Sequence, residues 1–303
     1  MRMSQVHAQP PPPGGAHKVL AAEPVRRDRA IGAILIDAGR LTIADAERVL
    51  QAARRFGLRF GEAAVKLGLL TAEDVRFALS RQYDFPYVNP GGDNLLSDEL
   101  VAAYRPLSEQ TESIRALRSQ LLLHWVGEEP KGRCFALVSA GRREGRSRLA
   151  ANLAIVFAQL GERTLLIDGD LRHPRQHALF NLDNANGLSS ALAGRGPPTL
   201  YRIGSLASLS VLPSGPAPPN PQELLSRSNF GFLVTELREK FDVVILDSPA
   251  AERSADAYLI AACAGAAVPL ARRNVTRYPK LQQLADRLAS TRATVIGSVF
   301  NDF

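Results

Sequence analysis

No stretch of this 303-residue chain stays apolar for the roughly twenty residues that a membrane-spanning helix needs. The longest apolar run, Tyr258 to Ala271, is shorter than that and rich in Ala and Gly. Cysteine is scarce too. Cys134 and Cys263 fall in apolar runs without metal-ligand spacing, which argues against a disulfide framework or a structural zinc site and fits a reducing compartment. The opening MRMSQVHAQPPPPGG lacks the apolar segment of a secretory signal, and its Pro and Gly content makes residues 1–25 an expected disordered tail. A cytoplasmic setting is therefore expected. Aromatic residues amount to 6% and do not alternate with basic ones, so no nucleic-acid platform is expected.

The chain does have enough apolar content, 46%, to build one full core and a second small domain. Its net charge of +7 and pI near 9.8 suit either anionic partners or a solvated basic surface. Residues 26–88 show helical spacing and an internal repeat. IGAILIDAGRLTIADAERVLQAA aligns with FGEAAVKLGLLTAEDVRFALSRQ, matching Gly32 to Gly61, Gly39 to Gly68 and Thr42 to Thr71. The threonines suit helix N-caps and the glycines suit helix ends. This predicts a small, duplicated, all-α N-terminal domain. A linker follows at 89–105, containing NPGGDN.

From residue 106 to 303 the pattern changes to short apolar strands alternating with amphipathic helices. CFALVSA, TLLIDGD, LSVLPSG, DVVILDSP, AAVPLAR and TVIGSVFN read as strands, and Ser147–Leu160, Gln222–Phe241 and Lys280–Ser290 as helices. Such alternation predicts an α/β fold with a doubly wound parallel sheet, whose ligands bind at the carboxyl ends of the strands.

The motifs fall at those ends. Ala140, Gly141, Arg142, Arg143, Glu144, Gly145, Arg146, Ser147 and Arg148 have the place and length of a P-loop that opens a helix, where backbone N–H groups and the helix N-terminus receive phosphate. Arg146 stands where a P-loop carries lysine, keeping the charge in a bulkier planar group, and Ser147 supplies the hydroxyl expected at magnesium. Asp168 and Asp170 end one strand and Asp247 another, so the three carboxylates can meet around Mg2+ and nucleotide phosphates. Each acid alone suits a helix cap equally well.

Together with LLIDGDLRHP, LPSGPAPPNPQELL, LDSP and VIGSVFN, this loop resembles the bacterial tyrosine kinases that accompany polysaccharide chain-length determinants. The resemblance covers about Ser108 to Phe303 and implies a deviant P-loop fold of the kind shared with division-site and partition ATPases. It implies transfer of the ATP γ-phosphoryl group to tyrosine. Asp168 would activate the acceptor hydroxyl and Arg146 would serve the transferring group, while Ser147, Asp170 and Asp247 support Mg2+. Asn301 would lie near the base, with Arg272 and Arg273 as further nucleotide contacts. It also implies homo-oligomerisation through Glu112, Arg115 and Arg118, for which a solvated charge stripe is the alternative.

The sequence departs from that family in three ways. Arg142 and Arg143 replace the usual proline and first glycine of the loop, as Arg146 replaces lysine. The closing Asn301, Asp302 and Phe303 offer no tyrosine cluster, so the acceptors are expected elsewhere, at Tyr83, Tyr87 or Tyr104 before Tyr201, Tyr258 or Tyr278. Ala250 follows the LDSP strand end in place of a second proline. The tailless form with a helical duplicate resembles members that dock on the cytoplasmic segment of a separate membrane chain-length determinant, which implies a position peripheral to the inner membrane. A nucleotide-binding regulatory adaptor of the same exopolysaccharide machinery is the alternative to a kinase. The helical segment resembles the N-terminal domain of type II secretion and pilus ATPases, some of which bind cyclic di-GMP. Arg59 before Gly61 fits that motif, Ala30 before Gly32 does not, and a protein-docking module is the other reading.

Overall fold

The computed structural model describes residues 30–82, 88, 96–124, 132–204 and 206–302. The tail at 1–25, Tyr83, Tyr87 and all of NPGGDN lie outside the described residues. Contacts divide the chain into two compact units, residues 1–72 and 73–303. The division falls inside the second copy of the repeat rather than after Val88.

The first unit holds α1 (Ile31–Asp37), α2 (Ile43–Phe56) and α3 (Phe60–Lys66). Thr42 caps α2 by accepting the Asp45 backbone N–H at 3.1 Å, as its place in the repeat predicts. Gly39 and Gly68 both adopt φ +67, so the two copies turn alike at matching residues. Leu35, Val49 and Ala64 are fully buried and form the centre of this unit.

In the second unit, α4 (Ala72–Gln82), α5 (Val101–Tyr104) and α6 (Glu109–His124) precede the sheet. The sheet alternates with helices in the order β1 (Arg133–Ser139), α7 (Arg146–Gln159), β2 (Thr164–Asp168), α8 (Gln176–Leu179), α9 (Leu188–Leu192), β3 (Tyr201–Arg202) and β4 (Leu209–Leu212). Then come α10 (Pro221–Ser226), α11 (Ser228–Lys240), β5 (Val243–Asp247), α12 (Asp256–Ala264), β6 (Ala266–Arg272), α13 (Tyr278–Ala289), β7 (Thr294–Val295) and β8 (Val299–Asn301). The spatial order is β3-β4-β2-β5-β1-β6-β7, with β8 also on β6, and all pairs are parallel except β3 with β4.

Side chains alternate across β1 as a strand's two-residue period requires. Phe135 and Leu137 pack toward α7, with Leu166 and Ile245 from neighbouring strands. Cys134, Ala136 and Val138 pack on the other face with Leu165, Val244 and residues of α11, α12 and α13. The sheet is therefore covered on both sides, and α7 is buried along nearly its whole length.

Two sequence expectations change. The helix drawn from Gln222 to Phe241 breaks at Arg227, whose extended φ −72, ψ 149 ends α10 and starts α11. TVIGSVFN is two short strands, interrupted around Gly297, that pair with opposite ends of β6. The apolar run from Tyr258 is a helix that stops at left-handed Gly265 before β6 begins.

Candidate nucleotide and phosphoryl-transfer site

The loop Ala140–Gly145 leaves the carboxyl end of β1, which lies between β5 and β6 at the centre of the sheet. Gly145 caps α7 with φ +94, and a Cβ added there would stand 2.4 Å from Asn301 Nδ2, so the position demands glycine. Arg143 has φ +58, a left-handed backbone where the family pattern places glycine. Three contacts hold the loop at Arg143 and Glu144. Arg272 Nη1 donates to the Arg143 carbonyl at 2.9 Å, and Asn301 Nδ2 donates to the Glu144 carbonyl at 2.9 Å. Thr276 Oγ1 adds a bond to Glu144 Oε1 at 2.7 Å.

The loop forms one wall of a cleft of about 460 Å3. Eight arginines line it against three acids, so the scattered basic excess of the sequence converges here. Arg142 to Arg148, Asp170, Arg272 and Asn301 reach it; Ala140, Gly141, Asp168 and Asp247 lie behind its surface. Arg273 pairs instead with Asp302 at 3.0 Å. Asn301 is buried with Oδ1 unpartnered, leaving an acceptor beside the loop.

The three expected acids do come together. β2 pairs with β5 so that Asp168 faces Asp247 across the ladder. Both are fully buried. Burial pushes the Asp168 carboxyl well above the usual range, and the charge of Asp247 pushes it further. Burial raises Asp247 as well, with the Arg146 guanidinium pulling it back.

Every one of these carboxylates is already occupied. Asp168 Oδ1 accepts the Asp170 N–H at 3.2 Å, and Oδ2 accepts those of Arg175 and Gln176 at 3.0 and 2.9 Å. Asp170 Oδ1 accepts the Arg172 and His173 N–H groups at 3.2 and 2.9 Å. Asp247 Oδ1 accepts Arg146 Nε at 3.2 Å, and Oδ2 accepts Gln176 Nε2 at 2.8 Å. The Ser147 hydroxyl beside it also pulls the Asp247 carboxyl down. Arg146 completes its set with Nη1 on Ser139 Oγ at 2.6 Å and Nη2 at 3.6 Å from Asp170 Oδ2. The sequence pattern places this residue at the phosphates; its side chain instead turns inward, because a planar guanidinium can bridge several acceptors at once. Ser147, Asp170 and Asp247 therefore do not form an open magnesium site in this arrangement, and no group of three acidic, His or Cys residues among the described residues is placed to hold a metal.

Gln176 and Ser139 were missed by sequence reasoning. Gln176 carries no motif and acts only through the chain reversal that brings α8 under the P-loop helix, where it also donates to the Ser147 carbonyl at 3.1 Å. The ranking of tyrosines changes. The Tyr104 hydroxyl donates to the Leu96 carbonyl at 2.8 Å, and Tyr258 lies under Arg287, whereas Tyr278 at the start of α13 is 74% exposed. In α6, Glu112 pairs with Arg115, but Arg118 Nη1 is directed to the Val156 carbonyl of α7 at 2.8 Å and is not part of an outward stripe.

A tyrosine-protein kinase from Bacillus subtilis is 34% identical over 203 residues, covering 67% of this chain and 85% of the relative. A putative tyrosine-protein kinase from Staphylococcus aureus is 31% identical, covering 65% of this chain and 86% of the relative. The chain belongs to the bacterial tyrosine-protein kinase family. The kinase domain of an Escherichia coli tyrosine kinase superposes with a TM-score of 0.64 at 27% identity, over 71% of this chain and 84% of that one. A septum site-determining protein of Pyrococcus horikoshii, solved with Mg-ADP and 20% identical with a TM-score of 0.50, shares the fold. No family model matches the chain. This kinase-family member has, among its described residues, no helix long and apolar enough to cross a membrane.

Proposed function

We propose that this chain transfers the γ-phosphoryl group of ATP to tyrosine. The observation that carries the proposal is Asp168, a carboxylate with a raised pKa lying directly behind an arginine-lined cleft at the mouth of a P-loop. A carboxylate raised by burial is a better proton acceptor at neutral pH than an ordinary one, which suits it to take the phenolic proton as the oxygen attacks. The N-terminal N–H groups of α7 and the arginines of the cleft would hold the phosphates and neutralise the charge that develops on them. The protein's part is thus positioning and charge stabilisation, as phosphoryl transfer requires. Asn301 Oδ1 is available to accept a hydrogen bond from the base.

Tyr278, by its exposure, is the best placed acceptor among the described tyrosines. The setting we infer is exopolysaccharide synthesis, with the chain peripheral to the inner membrane through the cytoplasmic segment of a chain-length determinant, and self-associating. For the repeat at 26–88 we favour protein docking over cyclic di-GMP, since Ala30 stands where the second copy has Arg59. The kinase names of the relatives favour catalysis over a purely regulatory adaptor.

The test is labelled phosphotyrosine formed by the purified chain from γ-labelled ATP, on itself and on a tyrosine-containing copolymer. Asp168→Asn is expected to lower the rate by about 100-fold or more while nucleotide still binds. Bound ATP without phosphotyrosine on any substrate would overturn the kinase reading.

A further inference from the structure

Two of the three acids that a P-loop kinase would gather around the phosphates and their divalent cation, Asp170 and Asp247, are bridged here by a cation the chain supplies itself. Arg146 Nε lies 3.2 Å from Asp247 and Nη2 lies 3.6 Å from Asp170, with Nη1 anchored on Ser139. Its side chain is only 9% exposed. Gln176 takes the remaining Asp247 oxygen, and backbone N–H groups take both oxygens of Asp168. A magnesium ion needs oxygen ligands at about 2.1 Å in near-octahedral geometry and gives up its waters reluctantly. It cannot enter unless the guanidinium leaves, and leaving would strand two buried carboxylates without their partner.

We propose that Arg146 is a built-in substitute for the divalent ion, so that nucleotide binding at this site is largely independent of metal. A lysine could not do this. Its ammonium is a point charge on a flexible stem and lacks the fork of donors needed to span Ser139, Asp170 and Asp247 together. The seven further arginines around the cleft supply charge that would otherwise come from the ion. The inference rests on reading the cleft as a nucleotide site, but not on phosphoryl transfer taking place there.

The experiment is isothermal titration of the full chain with ADP, in excess magnesium and in EDTA, for the natural protein and Arg146→Lys. The natural protein should change affinity by less than about threefold between the two buffers, whereas Arg146→Lys should lose about tenfold or more in EDTA. A tenfold loss by the natural protein in EDTA, or a lysine variant equally indifferent to metal, would overturn the proposal. A second readout needs no variant: the paramagnetic resonance signal of free Mn2+, already lowered by ADP alone, should fall no further when natural protein is added to the Mn2+ and ADP mixture, and a further fall would equally count against the idea. If no nucleotide binds in either buffer, this inference and the nucleotide-site reading fall together. If ADP binds alike in both buffers but no phosphotyrosine forms, the kinase reading falls and this inference stands.

Discussion

Arg143 places a non-glycine residue in left-handed backbone at φ +58, a conformation that costs an L-residue about 1–2 kcal/mol. Its carbonyl is held by Arg272, so the loop keeps this shape through a tertiary contact and not through local preference. Arg143→Gly should therefore raise stability, by up to about 1 kcal/mol once the greater freedom of glycine in the unfolded chain is subtracted. Urea denaturation measures this directly; an unchanged or lower midpoint would mean that the Arg143 side chain makes a compensating contact. Gly145 makes the opposite case. Gly145→Ala adds a Cβ 2.4 Å from Asn301 Nδ2 at φ +94, and should cost about 1–3 kcal/mol while weakening ADP binding, read in one titration and one melt. The two positions are separated only by Glu144, yet substitution should push stability in opposite directions.

At the scale of elements, the P-loop helix is fastened to α5 and the turn before it by polar side chains inside an apolar interface. Asn152 Oδ1 accepts the Ala102 N–H at 2.9 Å, its Nδ2 donates to the Glu99 and Arg148 carbonyls at 3.0 and 2.9 Å, and Gln159 Nε2 donates to the Ala102 carbonyl at 2.9 Å. Asn152 is 1% exposed, so water cannot replace what it provides. Asn152→Ala should cost about 1–3 kcal/mol through the unpaired groups left behind, seen as a lower urea midpoint at unchanged slope. A loss below about 0.5 kcal/mol would mean that α5 relaxes to find other partners. Glu99 also takes Arg175 at 2.6 Å, so this turn borders the cleft and links the packing of α7 to the arginine cluster. The sequence reads residues 89–105 as a linker because its polar and turn-forming residues carry no periodic signal. Ala102 and Glu99, the partners of Asn152 in this segment, lie fifty or so positions away, which no local pattern can encode.

Across the whole molecule, the core lies on both faces of one sheet, and β1 runs through its middle. Cys134 in that strand is 4% exposed, and burial pushes its thiol up to about 12. Cys263 in α12 is partly exposed and raised to about 11. A thiol reagent at neutral pH should modify Cys263 first, and Cys134 only at the rate of global unfolding, since reaching it means opening the sheet. Mass spectrometry of the timed reaction decides it; early labelling of Cys134 would show that β1 opens locally.

The sequence by itself determined the alternation of strands and helices, the apolar two-residue period of β1, the repeat with its matched Gly39 and Gly68, and the acids at the ends of β2 and β5. These follow from periodicity, turn chemistry and spacing, all of which are local. Only the tertiary structure decided which way Arg146 points, that Gln176 completes Asp247, and that Asn301 holds a loop 157 residues earlier in the chain. The reason is that a long polar side chain chooses its partners by the buried charge it can neutralise. Which carboxylates are buried beside it is settled by the pairing of β2 with β5, not by its neighbours along the chain.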